Sequence, residues 1–194
     1  ANLDYKLREE LRDELPKLFA QRNCIVVYAT TEPTEALLFG GNTATLHEGR
    51  ITQFGPTARG YRYPRDIVSA RVFSDPPINT HAAVKVNGEL SLVEGPQWSL
   101  GDSARDVPDG DYTIAIRPHH VTMKPVAANS ATIDGRVLIT ELSGSESVIH
   151  FTVGNETWVS QSHGIHPVKV GAQARLYVDT NQILYYGPNG ELVG

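Results

Sequence analysis

The chain has 194 residues, with 22 acidic and 17 basic side chains and a net charge of −5. That balance argues against a nucleic-acid partner, since phosphate recognition needs a basic surface, and a hydrophobic content of 40% excludes a disordered chain. The single cysteine, Cys24, excludes an internal disulfide framework and a thiolate zinc cluster, and no apolar run is long enough to cross a bilayer as a helix.

The first predicted element is a helix. Leu7, Leu11, Leu15, Leu18 and Phe19 recur at helical spacing, Asp4 is placed to cap its start, and Glu9, Glu10, Arg12, Asp13 and Lys17 decorate the other face. Pro16 is expected to bend it. The run Cys24-Ile25-Val26-Val27-Tyr28-Ala29 reads as a strand buried on both faces, as in a parallel sheet. Thr31 then serves as N-cap, with Pro33 in the first turn of a helix through Leu38. A strand near Thr43 to Leu46, the turn Glu48-Gly49-Arg50 and a strand from Ile51 to Phe54 follow. Helix, strand, helix, strand in that order predicts a wound α/β sheet.

Phe73-Ser74-Asp75-Pro76-Pro77-Ile78-Asn79 reads as a junction, because paired prolines resist helix and central strand alike. Past it the pattern alternates. Val84 and Val86 share a face, Asn87-Gly88 makes a hairpin turn, and Leu90 and Leu92 return. Tyr112, Ile114 and Ile116 alternate, as do Ile149, Phe151 and Val153. Gly154-Asn155 forms a turn ahead of Trp158. Leu176 and Val178, then Leu184 and Tyr186, complete the series. Many short strands between turn residues predict a small β-barrel or sandwich.

Five segments, in order, resemble the ATP-hydrolysing subunits of bacterial ABC importers of the sugar-uptake type. Ala1-Asn2-Leu3-Asp4 with Lys6-Leu7-Arg8 is similar to that family's D-loop and following helix. Val27-Tyr28-Ala29-Thr30-Thr31-Glu32-Pro33-Thr34-Glu35-Ala36-Leu37 resembles its switch segment. Leu46-His47-Glu48-Gly49-Arg50-Ile51-Thr52-Gln53-Phe54-Gly55 resembles its G-R-I-x-Q-x-G strand pair. Beyond the junction, Ile114-Ala115-Ile116-Arg117-Pro118-His119-His120-Val121 resembles the I-R-P-E-H segment of its regulatory domain, and Glu141-Leu142-Ser143-Gly144-Ser145-Glu146 the turn before a later strand.

The resemblance implies an α/β remnant of an ABC ATPase domain over residues 1–73, then an all-β, OB-like regulatory barrel over 74–194. Ala1 opens on what reads as mid-domain sequence, so the chain is expected to be the later part of a longer protein. That protein would use ATP and Mg; neither is expected to bind this portion, which carries no Gly-rich phosphate loop of its own. Thr31 and Glu32 occupy the catalytic switch positions, and Asn2, Asp4 and Thr31 the nucleotide-facing ones. The family carries His where Thr31 stands and Asp where Glu32 stands. Thr31 donates a hydrogen bond but holds no charge near neutral pH; helix cap and residual phosphate contact both stay open for it. Expected partners are membrane permease subunits, a second ATPase subunit (identical or not) and a soluble regulator, with no nucleic acid, at the cytoplasmic face of the inner membrane.

An alternative makes the β-domain an oxyanion- or small-ligand-binding module. His119-His120 and His163-x-x-His166 lack matching carboxylate spacing, so no metal is expected; adjacent residues on a strand would point to opposite faces. Trp98 and Trp158 are expected in packing or a subunit contact rather than stacking on bases.

Overall fold

The computed structural model describes residues 5–21, 25–102, 104–126 and 130–193, and only the backbone of 5–9. Asp4, Asn2 and Cys24 lie outside the described residues.

The first helix, α1 (Tyr5–Gln21), forms as its periodicity predicts and contains Pro16. Its apolar face is only partly covered: Leu11 and Leu18 stay exposed. The predicted buried strand does not form. Residues 25–30 pair with no strand, and Ile25 and Val27 are 96% and 92% exposed. A strand exists only through hydrogen bonds to neighbours, and the described residues supply none here. Helix α2 (Pro33–Phe39) follows, with Pro33 at its first position. Strands β1 (Asn42–His47) and β2 (Arg50–Pro56) form an antiparallel hairpin by themselves. The wound α/β sheet is therefore not seen among the described residues.

The hairpin packs inside out. Its covered face is hydroxylic: Thr45 Oγ1 lies 2.7 Å from Thr52 Oγ1, and the Ser69 hydroxyl donates to Thr52 Oγ1 at 2.9 Å. Thr43 and Thr57 pair at 2.8 Å. The opposite face leaves Leu46, Ile51 and Phe54 in solvent. Two short helices, α3 (Thr57–Arg62) and α4 (Ile67–Val72), cover the hydroxyl side. Asp66 caps α4, its carboxylate accepting from Ser69 N–H at 2.7 Å.

From Asn79 the structure is β. One sheet runs β12-β6-β3-β4-β5, made of β3 (Asn79–Val86), β4 (Glu89–Leu92), β5 (Gln97–Ser99), β6 (Gly110–Ile116) and β12 (Leu184–Tyr186). The other runs β10-β9-β8-β11-β7, made of β7 (Val121–Thr122), β8 (Ala131–Leu142), β9 (Glu146–Val153), β10 (Glu156–His163) and β11 (Gln173–Val178). All pairs are antiparallel. Asn87 and Gly88, with φ of 50° and 81°, make the tight turn between β3 and β4. Val84 and Val86 share a face, as read, but it is the solvent face; Leu90 and Leu92 are buried.

The outer strands of the second sheet meet. The Ser160 hydroxyl of β10 donates to Val121 O at 2.6 Å, and Met123 N–H donates to Ser162 Oγ at 3.2 Å. Two serine side chains thus close a five-stranded barrel where no backbone ladder joins β7 to β10 among the described residues. Side chains also tie the two sheets. The Asn79 amide donates to Val159 O (2.8 Å) and accepts from Val159 N–H (2.6 Å). Trp98 Nε1 donates to Thr132 O, and Trp158 Nε1 to Thr80 O. Both indoles are buried with ring centroids 6.4 Å apart, so the tryptophans serve packing. Ile114, Ile149, Phe151, Leu176 and Val178 share this core, as alternation predicted.

Candidate functional site

Thr31 and Glu32 lie on the rim of a cleft of about 420 Å³. Leu11, Arg12 and Leu15 of α1, residues 28–32, and Glu35 and Phe39 of α2 line it. Aromatic packing holds its floor: Phe39 meets Tyr28 at 5.0 Å and Phe19 at 6.1 Å between centroids, both edge-on.

Thr31 is exposed and does not cap α2. The N-cap position belongs to Glu32, whose side chain makes no capping bond. The reason is Pro33: fixed at the first helical position, it makes the residue just before it the cap. Thr30 holds the cap residue instead. Its Oγ1 accepts from Glu32 N–H at 2.9 Å and donates to Glu35 Oε2 at 2.6 Å.

Glu35 is the group that sequence reading passed over. It is buried, 5% exposed, and also accepts from the Tyr28 hydroxyl at 3.1 Å. Arg12 Nε lies 3.5 Å from its other oxygen. Burial pushes the carboxyl up, but bonds from Thr30 and Tyr28 and the Arg12 charge outweigh that and hold it below the ordinary glutamate value. Arg12, read as surface decoration, is therefore a partner of the cleft. The signal was available: residues 12 and 35 carry opposite charges on consecutive helices flanking the same segment.

A second arrangement joins the short helices to the barrel. Arg117, at the end of β6, is buried and stacks over Tyr61 at 3.8 Å. Its guanidinium donates to Tyr61 O and, at 3.3 Å, to Phe73 O. These carbonyls lie in the last turn of α3 and at the C-cap of α4, where helix carbonyls lack partners. Tyr186 adds a bond from its hydroxyl to Pro64 O at 3.3 Å. His119 and His120 follow on a short 3₁₀ turn rather than a strand, their rings 4.2 Å apart and edge to face. Burial, with the neighbouring Arg117 charge, lowers the His119 pKa; burial and His119 bring that of His120 to about 4.

No cluster of three or more His, Cys, Asp or Glu able to hold a metal ion occurs among the described residues. Glu35, the buried carboxylate of the cleft, is already engaged by protein donors.

The barrel defines the class. Residues 114–184 match the model of the TOBE domain, an all-β, OB-type module consistent with the two sheets described. The chain is homologous to import ATP-binding proteins for sugars, maltose and glycerol 3-phosphate, and its C-terminal region carries the TOBE domain. The xylose/arabinose import ATP-binding protein of Haloferax volcanii is 31% identical over 160 residues, covering 80% of this chain and 42% of that protein. The sn-glycerol-3-phosphate import ATP-binding protein of Vibrio vulnificus is 27% identical over 187 residues, or 94% of this chain and 49% of that one. The maltose/maltodextrin import ATP-binding protein of Escherichia coli K12 is 29% identical over 161 residues, 79% and 43% respectively. The chain thus spans less than half the length of these relatives. Among solved structures, the cytoplasmic molybdate-binding protein ModG aligns with a TM-score of 0.40 at 14% identity, over 55% of this chain and 94% of that one, a likeness too slight to bear on ligand choice.

Proposed function

We propose that this chain is the C-terminal portion of the ATP-binding subunit of an ABC importer for a carbohydrate-type solute. Residues 1–73 would be the end of the ATPase domain, with its D-loop at Asn2 and Asp4 and its switch at Thr31 and Glu32. Residues 74–194 would be the regulatory barrel. The observation that carries this reading is the order of the chain: a switch-like segment lining a cleft, followed by a TOBE domain, matched over 80–94% of this chain by import ATP-binding proteins. In the longer protein, ATP and Mg would be held mainly by residues before Ala1. Permease subunits and a second ATPase subunit would be its partners at the cytoplasmic face of the membrane, with a soluble regulator acting on the barrel. No helix among the described residues is long and apolar enough to cross a membrane. The oxyanion-module alternative draws no support from the barrel's buried cations, since Arg117 is spent on two helix carbonyls and Lys85 on Asp109.

The test has two arms. Titration calorimetry of the 194-residue chain with Mg-ATP is expected to show no tight binding, because the chain has no phosphate-cradling loop. Low-micromolar affinity would overturn the partial-site reading. The longer polypeptide containing this sequence is expected to hydrolyse ATP with its permease and partner subunit; no turnover under any pairing would overturn the ATPase assignment.

A further inference from the structure

The N-terminus of α2 departs from the usual arrangement. In a capping box the third helical residue, here Glu35, reaches back directly to the N–H of the cap residue, here Glu32. In this structure the Thr30 hydroxyl stands between them. It accepts from Glu32 N–H and donates to Glu35 Oε2. Such a carboxylate ordinarily stands in solvent; Glu35 is buried and gathers the Tyr28 hydroxyl and Arg12 of α1 as well. Both neighbours of Thr31 in the chain are therefore tied to one carboxylate, while Thr31 itself stays exposed at the cleft.

We propose that Glu35 is a positioning residue for the turn 30–32: through Thr30 it fixes the backbone on both sides of Thr31, and through Arg12 it sets that turn in register with α1. The function attached to that position rests on the reading of this turn as the switch of an import ATPase. A buried acceptor held by two hydroxyls of the segment before α2 and by a cation of α1 adopts one arrangement, and losing any of these partners leaves polar groups unmatched. Movement of α1 is thereby communicated to Thr31 through a charge pair rather than through packing alone.

The experiment is an NMR pH titration of the 194-residue chain, following the amides of Thr30 and Thr31. In the native chain both are expected to report one transition whose midpoint lies below the ordinary glutamate value. Glu35→Gln is expected to abolish the transition, with the amides of Phe151 and Leu176 in the barrel unchanged. Arg12→Gln is expected to keep the transition and move its midpoint upward, which loss of packing alone would not do. Thr30→Val keeps the shape of an exposed residue while removing its hydroxyl; it is expected to speed hydrogen exchange at Glu32 N–H about fivefold, the loss of one hydrogen bond. If Glu35→Gln does not fold, Arg12→Gln and Thr30→Val carry the test. Absence of the native transition, or no change in Thr30→Val, overturns the proposal. In the longer polypeptide, Glu35→Gln is expected to lower kcat about tenfold with KM for ATP unchanged. If the titration behaves as stated while that polypeptide has no ATPase activity, the positioning stands and the ATPase reading falls.

Discussion

Thr31 stands where the family resemblance places a histidine, and the structure leaves its side chain free to face the cleft. A hydroxyl neither carries charge nor orients water as an imidazole does. In the longer protein, Thr31→His is expected to raise turnover of the homodimer by about 10²–10³, the usual worth of one transition-state contact, with ATP affinity nearly unchanged. An ordinary transporter rate without the substitution, and a slower one with it, would show Thr31 to be a competent variant. The histidines beside Arg117 give a pH dependence. The His120 pKa falls from 6.5 to about 4 in the folded chain through burial and then His119, with Asp179 opposing. The unfolded chain therefore takes up the proton first as pH falls, so stability is full above about 6.5 and is lost progressively toward 4. His119 acts in the same direction. Melting temperature measured from pH 7 to pH 5 is expected to fall, and His120→Gln to flatten the slope; an unchanged slope in that variant would place the dependence elsewhere.

At the scale of elements, β8 shows what one small residue permits. Gly135 lies against β9, where a Cβ would press on Thr152 O and the Phe151 ring closer than real Cβ atoms come. The contact includes backbone, so it cannot relax by a rotamer change. Gly135→Ala is expected to cost about 1–3 kcal/mol, read by chemical denaturation; a neutral result would mean β8 shifts freely at the bulge between Val137 and Ile139. The barrel strands were legible because Ile149, Phe151 and Val153, or Leu176 and Val178, alternate with polar residues, and alternation is a local signal. The segment 25–29 carries an equally strong apolar signal, yet its strand depends on neighbours that alternation does not reveal. Asn87-Gly88 announced its turn through residues that accept positive φ. The cleft was half legible. The motif pointed to Thr31 and Glu32, which line the cleft, but the cap falling on Glu32 depends on how Pro33 sets the helix start, and the pairing of Arg12 with Glu35 on how two helices pack.

At the scale of the molecule, the two ends of the chain differ in completeness. The barrel encloses a core of aromatic and aliphatic side chains, whereas the first part shows Ile25, Val27, Leu46, Ile51 and Phe54 to solvent with little core beneath them. Exposed apolar faces of this kind associate. The 194-residue chain is expected to self-associate at high micromolar concentration in sedimentation, and Phe54→Ser to weaken that association; a monomer throughout would mean these faces are inert. The barrel has an asymmetry of its own. Four of its five junctions are strand ladders, and the fifth, between β7 and β10, is two serine side chains. A ladder yields many bonds at once or none, whereas isolated hydroxyl contacts, each worth about 1 kcal/mol, yield singly. Slow breathing of the barrel should therefore begin along that line, with the Met123 amide trading its proton with solvent before that of Ile149, and a closed cylinder would open as a curled sheet whose free margins are β7 and β10.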